Sequence, residues 1–247
     1  MRILVLSPHY DDAPLSLGQS MLDGVLHSQR VTVGVVFSRS NWTRWVYPTR
    51  GRRWPVTAAR WTEEQWNSLR FGYRVRTGGL EELILRAGAR TPEEILAPDH
   101  DVAADPELGK VAAVIASWVD EGAYGAVLAP LGVGGHVDHL LVASAARRIA
   151  ATSALPWGFY EDRPYASVAD DASIMALARS IDPRLAPVPL SGPVTARKHR
   201  RLFYPTQFDP FFADAMGDDE RQARVERAWV PDAADAGPTP TPTPFIP

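Results

Sequence analysis

The chain has 247 residues and a formal net charge of −3, long enough to bury the core of one large α/β domain and without a global pull toward nucleic acid or a membrane surface. Hydrophobic residues make up 45% and charged residues 22% of it, ordinary for a globular protein. With no cysteine, disulfides and thiolate metal sites are excluded, so a bound transition metal would need His, Asp or Glu ligands. Lysine occurs only at Lys110 and Lys198 among abundant Arg, Ala and Pro, a GC-rich coding bias that weakens any argument from the number of arginines.

The run Met1 to Leu6 meets Pro8, His9, Asp11 and Asp12 within a few residues. That is too short and too soon polar for a signal peptide or a membrane span, so a cytoplasmic protein with no stable membrane insertion is the expectation. Arg2 to Leu6 reads as a short buried strand, and Leu15, Leu22, Val25 and Leu26 space a helix over Leu15 to Leu26. Val31 to Phe37 is a continuous β-branched strand, as when both faces of a parallel strand are covered. Residues 38 to 56 lose periodicity and read as a long loop. Helical patterns follow at Thr57 to Phe71, Leu80 to Arg86 and Leu108 to Glu121. The last leads through Gly122 and Gly125 into a strand, Ala126 to Ala129.

Beyond it come a helix from about Val137 to Ala150, a strand around Trp157 to Tyr160, and helices near Ala169 to Ser180, Pro193 to Phe203 and Asp218 to Arg227. This alternation predicts an α/β fold, a doubly wound, mainly parallel sheet with helices on both faces, in a single domain over residues 1–230. From Pro238 the chain reads as a Pro-Thr repeat, which favours polyproline II, so residues 231–247 are expected to be a disordered or surface-docked tail.

Three of the six histidines fall in two short motifs, Ser7-Pro8-His9-Tyr10-Asp11-Asp12-Ala13 and Gly134-Gly135-His136-Val137-Asp138-His139. Each follows an expected buried strand. In open parallel sheets the active crevice lies beyond the carboxyl ends of the strands, so the two loops can converge although they are far apart in sequence. A hydrolytic zinc ion takes three His or carboxylate ligands and leaves a position for a water whose pKa it lowers; His9, Asp12 and His139 fit. Asp11, unligated beside Asp12, is then placed to take a proton. His136 could donate to an oxyanion, with Asp138 orienting its ring. Taken singly, an Asp-Asp pair is more often a turn or helix cap and a lone His more often structural. Two such motifs at matching topological positions favour chemistry.

Those motifs resemble the PIG-L or LmbE-like de-N-acetylases, whose first motif is Pro-His-x-Asp-Asp and whose second is His-x-Asp-His. Residues 8 to 12 and 136 to 139 match both. Arg60 and Glu63 look like the family's Arg-x-x-Glu, and Lys198, Tyr204 and Gln207 are similar to its late Lys, Tyr and Gln positions. The resemblance implies a Rossmann-like fold, zinc at His9, Asp12 and His139, Asp11 as general base and His136 as transition-state stabiliser. Where many members have Glu after the Asp pair, this chain has Ala13 and Pro14, a form that resembles a bacterial subgroup.

On the substrate side, no acidic residue lies between Asp23 and Glu63, while Arg30, Arg39, Arg44, Arg50, Arg52, Arg53 and Arg60 all fall there with Trp42, Trp45, Tyr47, Trp54 and Trp61. Arg44, Arg52 and Arg60 are therefore expected to bind an anionic or aromatic part of a small N-acylated substrate. Alternatively, coding bias supplies the arginines and the tryptophans pack the loop onto the core. Binding of single-stranded nucleic acid ranks below both. Glu161, with Asp162, either lines the far side of the crevice or caps a helix.

The expected function is removal of an N-acyl group, N-acetyl first, from an amino sugar or glycoconjugate. An amidase on a non-sugar or thiol-conjugate amide would use the same site. A non-catalytic ligand-binding module is the third reading, and the first strand lacks the Gly-x-Gly-x-x-Gly loop of dinucleotide binders. Fe²⁺, Co²⁺ or Ni²⁺ suit the same ligands as Zn²⁺.

Overall fold

A computed structural model describes residues 1–26, 30–45 and 47–232. In chain order the elements are β1 (Ile3–Ser7), α1 (Asp12–Leu22), β2 (Val31–Val35), α2 (Arg53–Phe71), β3 (Arg74–Thr77), α3 (Leu83–Arg86), α4 (Pro92–Ile95), α5 (Glu107–Glu121) and β4 (Ala126–Pro130). There follow α6 (Val137–Ala150), β5 (Trp157–Tyr160), α7 (Tyr165–Val168), α8 (Asp171–Ile181), β6 (Leu185–Pro193), α9 (Ala196–Arg201), α10 (Pro210–Arg221) and β7 (Val225–Pro231).

The strands form one seven-stranded sheet in the order β3-β2-β1-β4-β5-β7-β6. β1 pairs parallel with β2 and β4, β2 with β3, and β4 with β5; β7 is antiparallel to both of its neighbours. The chain winds outward from β1 through β2 to β3 and then returns to lay β4 on the other side of β1. The crevice between β1 and β4 is thus the topological switch point.

Alternation along the strands builds two cores. Leu4 and Leu6 of β1 face a cluster with Val111, Ile115 and Trp118 of α5 and Leu141 of α6. Ile3 and Val5 face the opposite cluster, with Leu17 and Met21 of α1 and Phe71 of α2. Helices therefore cover both faces, and the single α/β domain is the architecture expected from the alternating pattern. Among the described residues no helix is long and apolar enough to cross a membrane.

The far half of the sheet departs from the sequence reading. β3, β6 and β7 were not foreseen, and the helix expected near Asp218 to Arg227 is split between the end of α10 and the start of β7. β3 has only four residues, and its pattern Arg-Val-Arg-Thr is exposed or half-buried at the sheet edge. β6 carries Pro187, Pro189 and Pro193 and bulges between the last two, as an edge strand tolerates. Helix α2 begins four residues before the expected Thr57 and takes in part of the expected loop. The Pro/Thr tail lies outside the described residues.

α1, which carries Asp12 at its start, is held from behind by a buried ionic lock. Glu226 of β7 accepts from the backbone N–H groups of Gln19 and Ser20 at 2.9 and 2.7 Å and from the Ser20 hydroxyl at 2.6 Å. Lys198 of α9 lies 2.9 Å from Glu226 Oε1 and also donates to the Leu15 carbonyl. Both side chains are buried, so each charge depends on the other. Glu226→Gln leaves the Lys198 ammonium without its counter-charge, and we expect a loss of about 3–5 kcal/mol in a urea melt. A loss below about 1 kcal/mol would show that the lock does not carry this part of the fold.

Candidate metal centre

The loop after β1 is shaped by its own side chains. Ser7 Oγ donates to the His9 carbonyl at 2.6 Å and accepts from the Ala13 N–H at 3.1 Å, folding the motif into a turn that delivers Asp11 and Asp12 to the start of α1. The loop after β4 is made by glycines. Gly134 has φ +84°, and a Cβ there would fall 2.4 Å from the Tyr165 ring, so only glycine lets α7 approach this closely. His136 then caps α6, its Nδ1 accepting from the Asp138 N–H at 3.1 Å.

Because β1 and β4 are hydrogen-bonded neighbours, the two loops meet. Asp12 Oδ2 lies 3.2 Å from His9 Nδ1 and 3.4 Å from His139 Nε2, and the three residues form a buried group able to hold a metal ion. Tetrahedral bonds of about 2.0–2.2 Å separate ligand atoms by about 3.3–3.6 Å, so these spacings suit a small divalent metal ion.

The outward nitrogens support the same assignment. His9 Nε2 is 3.0 Å from Asp138 Oδ2, and His139 Nδ1 is 2.7 Å from Asp162 Oδ1. Each ring thus has a carboxylate behind it and its other nitrogen turned toward Asp12, the arrangement that fixes the tautomer and raises the basicity of metal-binding histidines. Asp162 is held by the N–H groups of Gly132 and Val133 at 2.8 and 3.1 Å, and Asp138 by the Leu83 N–H at 3.0 Å and Arg86 at 2.6 Å. His9, His136 and Asp138 form a second possible group, but in it the carboxylate already faces Arg86 and His9.

Electrostatics separates the adjacent carboxylates. Asp11 is buried and is pushed up to about 7, by burial first and by the Asp12 charge second. Burial also acts to raise Asp12, but the charges and hydrogen bonds of His139 and His9 outweigh it and hold that carboxyl well below the usual range. Burial would lower His9 and His139, yet the neighbouring carboxylates raise them. His136 goes the other way, lowered by burial and by the charges of His9 and His139. It is therefore a neutral imidazole at pH 7, and since Nδ1 accepts a hydrogen bond, its proton sits on Nε2.

The cavity above this floor has a volume of about 470 Å³ and is lined by His9, Asp11, Asp12, His136, Asp138, His139 and Arg60. The other expected site residues stand elsewhere. Arg44 donates to the Phe208 carbonyl and Arg52 to the Tyr47 carbonyl at 3.1 Å; neither lines the cavity. Glu161 accepts from Arg227 at 2.7 Å and the Trp229 indole at 2.9 Å, within the β5–β7 seam. Asp138 reaches His9 with its carboxylate and His136 only through its backbone. Trp45, Trp54 and Trp61 are exposed and so do not pack the loop onto the core, whereas Trp42 lines the cavity.

Arg60 pairs with Glu82 at 2.6 Å and donates to Gln207 at 2.8 Å. Gln207 in turn donates to Glu63 at 2.8 Å, and the Tyr204 hydroxyl lies 2.6 Å from Glu64. Of the outer matches to the family pattern, Arg60, Gln207 and Glu63 thus form one buried network, Tyr204 bonds to Glu64 next to it, and Lys198 stands in the lock behind α1. The backing role of Asp162 and the contributions of Glu82 and Arg86 were not read from sequence. An acidic residue directly after a buried strand was the available signal for Asp162; Glu82 and Arg86 carried none.

The fold is a Rossmann-like doubly wound sheet, with a His-Asp-His group that could hold a metal ion at its switch point. No family model matches the chain. It is 33% identical over 245 residues to 2′-N-acetylparomamine deacetylase of Streptomyces fradiae, covering 96% of this chain and 84% of that protein. Two solved structures share the fold. Teicoplanin deacetylase in a zinc-inhibited form aligns with a TM-score of 0.64 at 20% identity over 93% of this chain and 97% of that one. A deacetylase–teicoplanin complex from the biosynthesis pathway of teicoplanin aligns at 0.65 and 19%, over 93% and 98%. The chain belongs to the LmbE/PIG-L-like family.

Asp162 gives a test of the metal assignment. Asp162→Asn loses the carboxylate behind His139, and we expect divalent-metal affinity measured by competition with a chromophoric chelator to fall roughly 10–100-fold. Unchanged affinity would remove His139 from the ligand set.

Proposed function

We propose that the protein hydrolyses an N-acyl group, N-acetyl in the first instance, from an amino sugar or glycoconjugate, with a divalent metal, zinc first, held by His9, Asp12 and His139. The observation that carries this reading is the buried Asp11 carboxylate, raised toward neutrality, beside a three-ligand set on the floor of an open cavity. The 33% identical relative, a deacetylase of 2′-N-acetylparomamine, supports the same reaction class.

When bound, the metal supplies Lewis acidity and lowers the pKa of water at the site. Asp11 then takes the proton of the attacking water, which a group titrating near neutrality does efficiently. Oxygen charge develops on the amide carbonyl as water adds. His136, neutral with Nε2–H free, donates to that oxygen. Its position as the cap of α6 fixes the ring before the reaction starts. Asp138 and Asp162 hold the two histidines in register throughout. The proton held by Asp11 passes to the departing amine, so that an acyl acid and a free amine leave. Arg60, ion-paired with Glu82 in the cavity wall, holds Glu82 in place and carries a positive charge close to Asp11.

The roles of the two carboxylates separate by mutation. Asp12→Ala should lose metal and activity together. Asp11→Asn should keep its metal while kcat falls roughly 10²–10⁴-fold, the range for loss of a general base. For the native protein kcat/KM should fall as pH decreases through the Asp11 pKa, because the base becomes protonated. A bound cation draws that pKa down from about 7, so the acid limb lies at or below this value. Asp11→Asn should lack the limb. Full activity in Asp11→Asn would place the base elsewhere, and loss of metal from Asp11→Asn with retention in Asp12→Ala would reverse the two roles.

A further inference from the structure

The floor of the cavity accounts for amide chemistry but not for the walls above it. One group of lining residues is Ile84, Ile95 and Leu96, from α3 and the end of α4 onward, all only half-buried. A second is Tyr165 of α7 with Phe211 and Phe212 of α10.

The second wall is continuous with the reaction centre. The Tyr165 ring meets His139 edge-on at 5.7 Å between centroids and Phe211 at 6.2 Å; Phe211 meets Phe212 at 6.1 Å. An aromatic ladder therefore rises from an expected metal ligand to the mouth, where Phe211 is 42% exposed. Local sequence fixes this geometry. Asp209 accepts from the Phe212 N–H and caps α10, and Pro210 occupies the first turn, so the two phenylalanines are presented at a helix start with little freedom.

Apolar side chains lining a water-filled slot gain free energy when a ligand displaces that water. Of the charged groups of the walls, Glu82 pairs with Arg60, the Asp209 carboxylate accepts from the α10 backbone, and the Arg90 guanidinium lies over the Tyr47 ring at 4.6 Å. A bare amino sugar, with hydroxyls around its ring, leaves such a slot uncovered. The basic residues Arg44 and Arg52, expected from the sequence to meet an anion, donate to backbone carbonyls and do not line the cavity.

We propose that this slot binds an apolar group of the substrate, an aryl ring or alkyl chain joined within a few atoms of the scissile amide. This rests on the amide-hydrolase reading of the floor. The apolar group has two possible sources, the acyl side or the amine side of the bond.

The test uses the metal-loaded full chain and two series of amides. In the acyl series the probes are N-acetyl-, N-butanoyl- and N-octanoylglucosamine; in the amine series, methyl, phenyl and octyl N-acetylglucosaminides. Release of free amine gives kcat/KM. Calorimetry of methyl and octyl glucosaminide, the amine products, on metal-loaded Asp11→Asn gives affinity without hydrolysis. We expect kcat/KM to rise at least tenfold from the smallest to the largest member of one series, and that series identifies the source. In Phe211→Ala and, in the other group, Ile95→Ser, the ratio of largest to smallest should collapse toward one; a ratio unchanged in both variants would overturn the slot. Hydrolysis with flat kcat/KM in both series also overturns it and leaves the hydrolase reading standing. No hydrolysis of any member, with octyl glucosaminide bound at least tenfold more tightly than methyl, overturns the hydrolase reading and leaves the slot. Neither hydrolysis nor preference overturns both.

Discussion

The parallel pairing of β1 with β4 is the constraint on which the site depends. Ile3, Leu4 and Val5 register with Ala126, Val127 and Leu128, so the loops leaving the carboxyl ends of these strands emerge side by side. One brings His9, Asp11 and Asp12, the other His136, Asp138 and His139. Neither loop holds a complete set of ligands, and a shift in this register would separate Asp12 from His139. Both faces of the two strands are buried, and slippage by one residue would turn every side chain to the wrong core. Hydrophobic packing well below the cleft thereby fixes where the polar groups of the two loops stand.

Assembling so many charged groups in a buried place has a cost that the surrounding structure offsets. Each histidine of the cluster is backed by a carboxylate, and each of those carboxylates is itself held by backbone N–H groups. Helix α2 turns a polar face inward, where Arg60, Glu63, Glu64 and Asn67 are buried and bonded to residues near the C-terminal end of the sequence. Glu226 and Lys198 grip α1 from the opposite side. The elements after β5 are therefore more than a covering layer. They hold the first motif in place from behind, and through α7 and α10 they supply one wall of the cleft. In the proposed reading, the hydrophilic floor serves the chemistry and the apolar walls serve recognition.

Much of the first half of the fold was legible because its signals are local. β1, β2, β4 and β5 are short runs of apolar residues covered on both faces, and α5 and α6 carry helical periodicity over three turns or more, so chain order and strand polarity follow from the sequence. The two histidine motifs were legible for the same reason, since each sits in a few consecutive residues after a buried strand. The edge strands were not. β3 alternates charge with apolar residues, β6 is interrupted by prolines, and β7 mixes Glu226, Arg227 and Trp229; such segments become strands only because a neighbouring edge offers hydrogen bonds.

What the sequence by itself determined is the pair of histidine motifs and the kind of sheet that could gather them. Only the tertiary structure decided which groups face one another. It set Asp138 behind His9 rather than against the His136 ring, and Asp162 behind His139 while its neighbour Glu161 turned into the β5–β7 seam. It drew Arg44 and Arg52 onto backbone carbonyls away from the cleft, kept Arg60 within it, and raised the apolar walls from α3, α4, α7 and α10. The reason is physical. Side-chain chemistry and periodicity are properties of neighbours along the chain, but a hydrogen bond, an ion pair or a shift in proton affinity depends on distances between segments, and these exist only once the sheet has closed its register and the helices have packed against it.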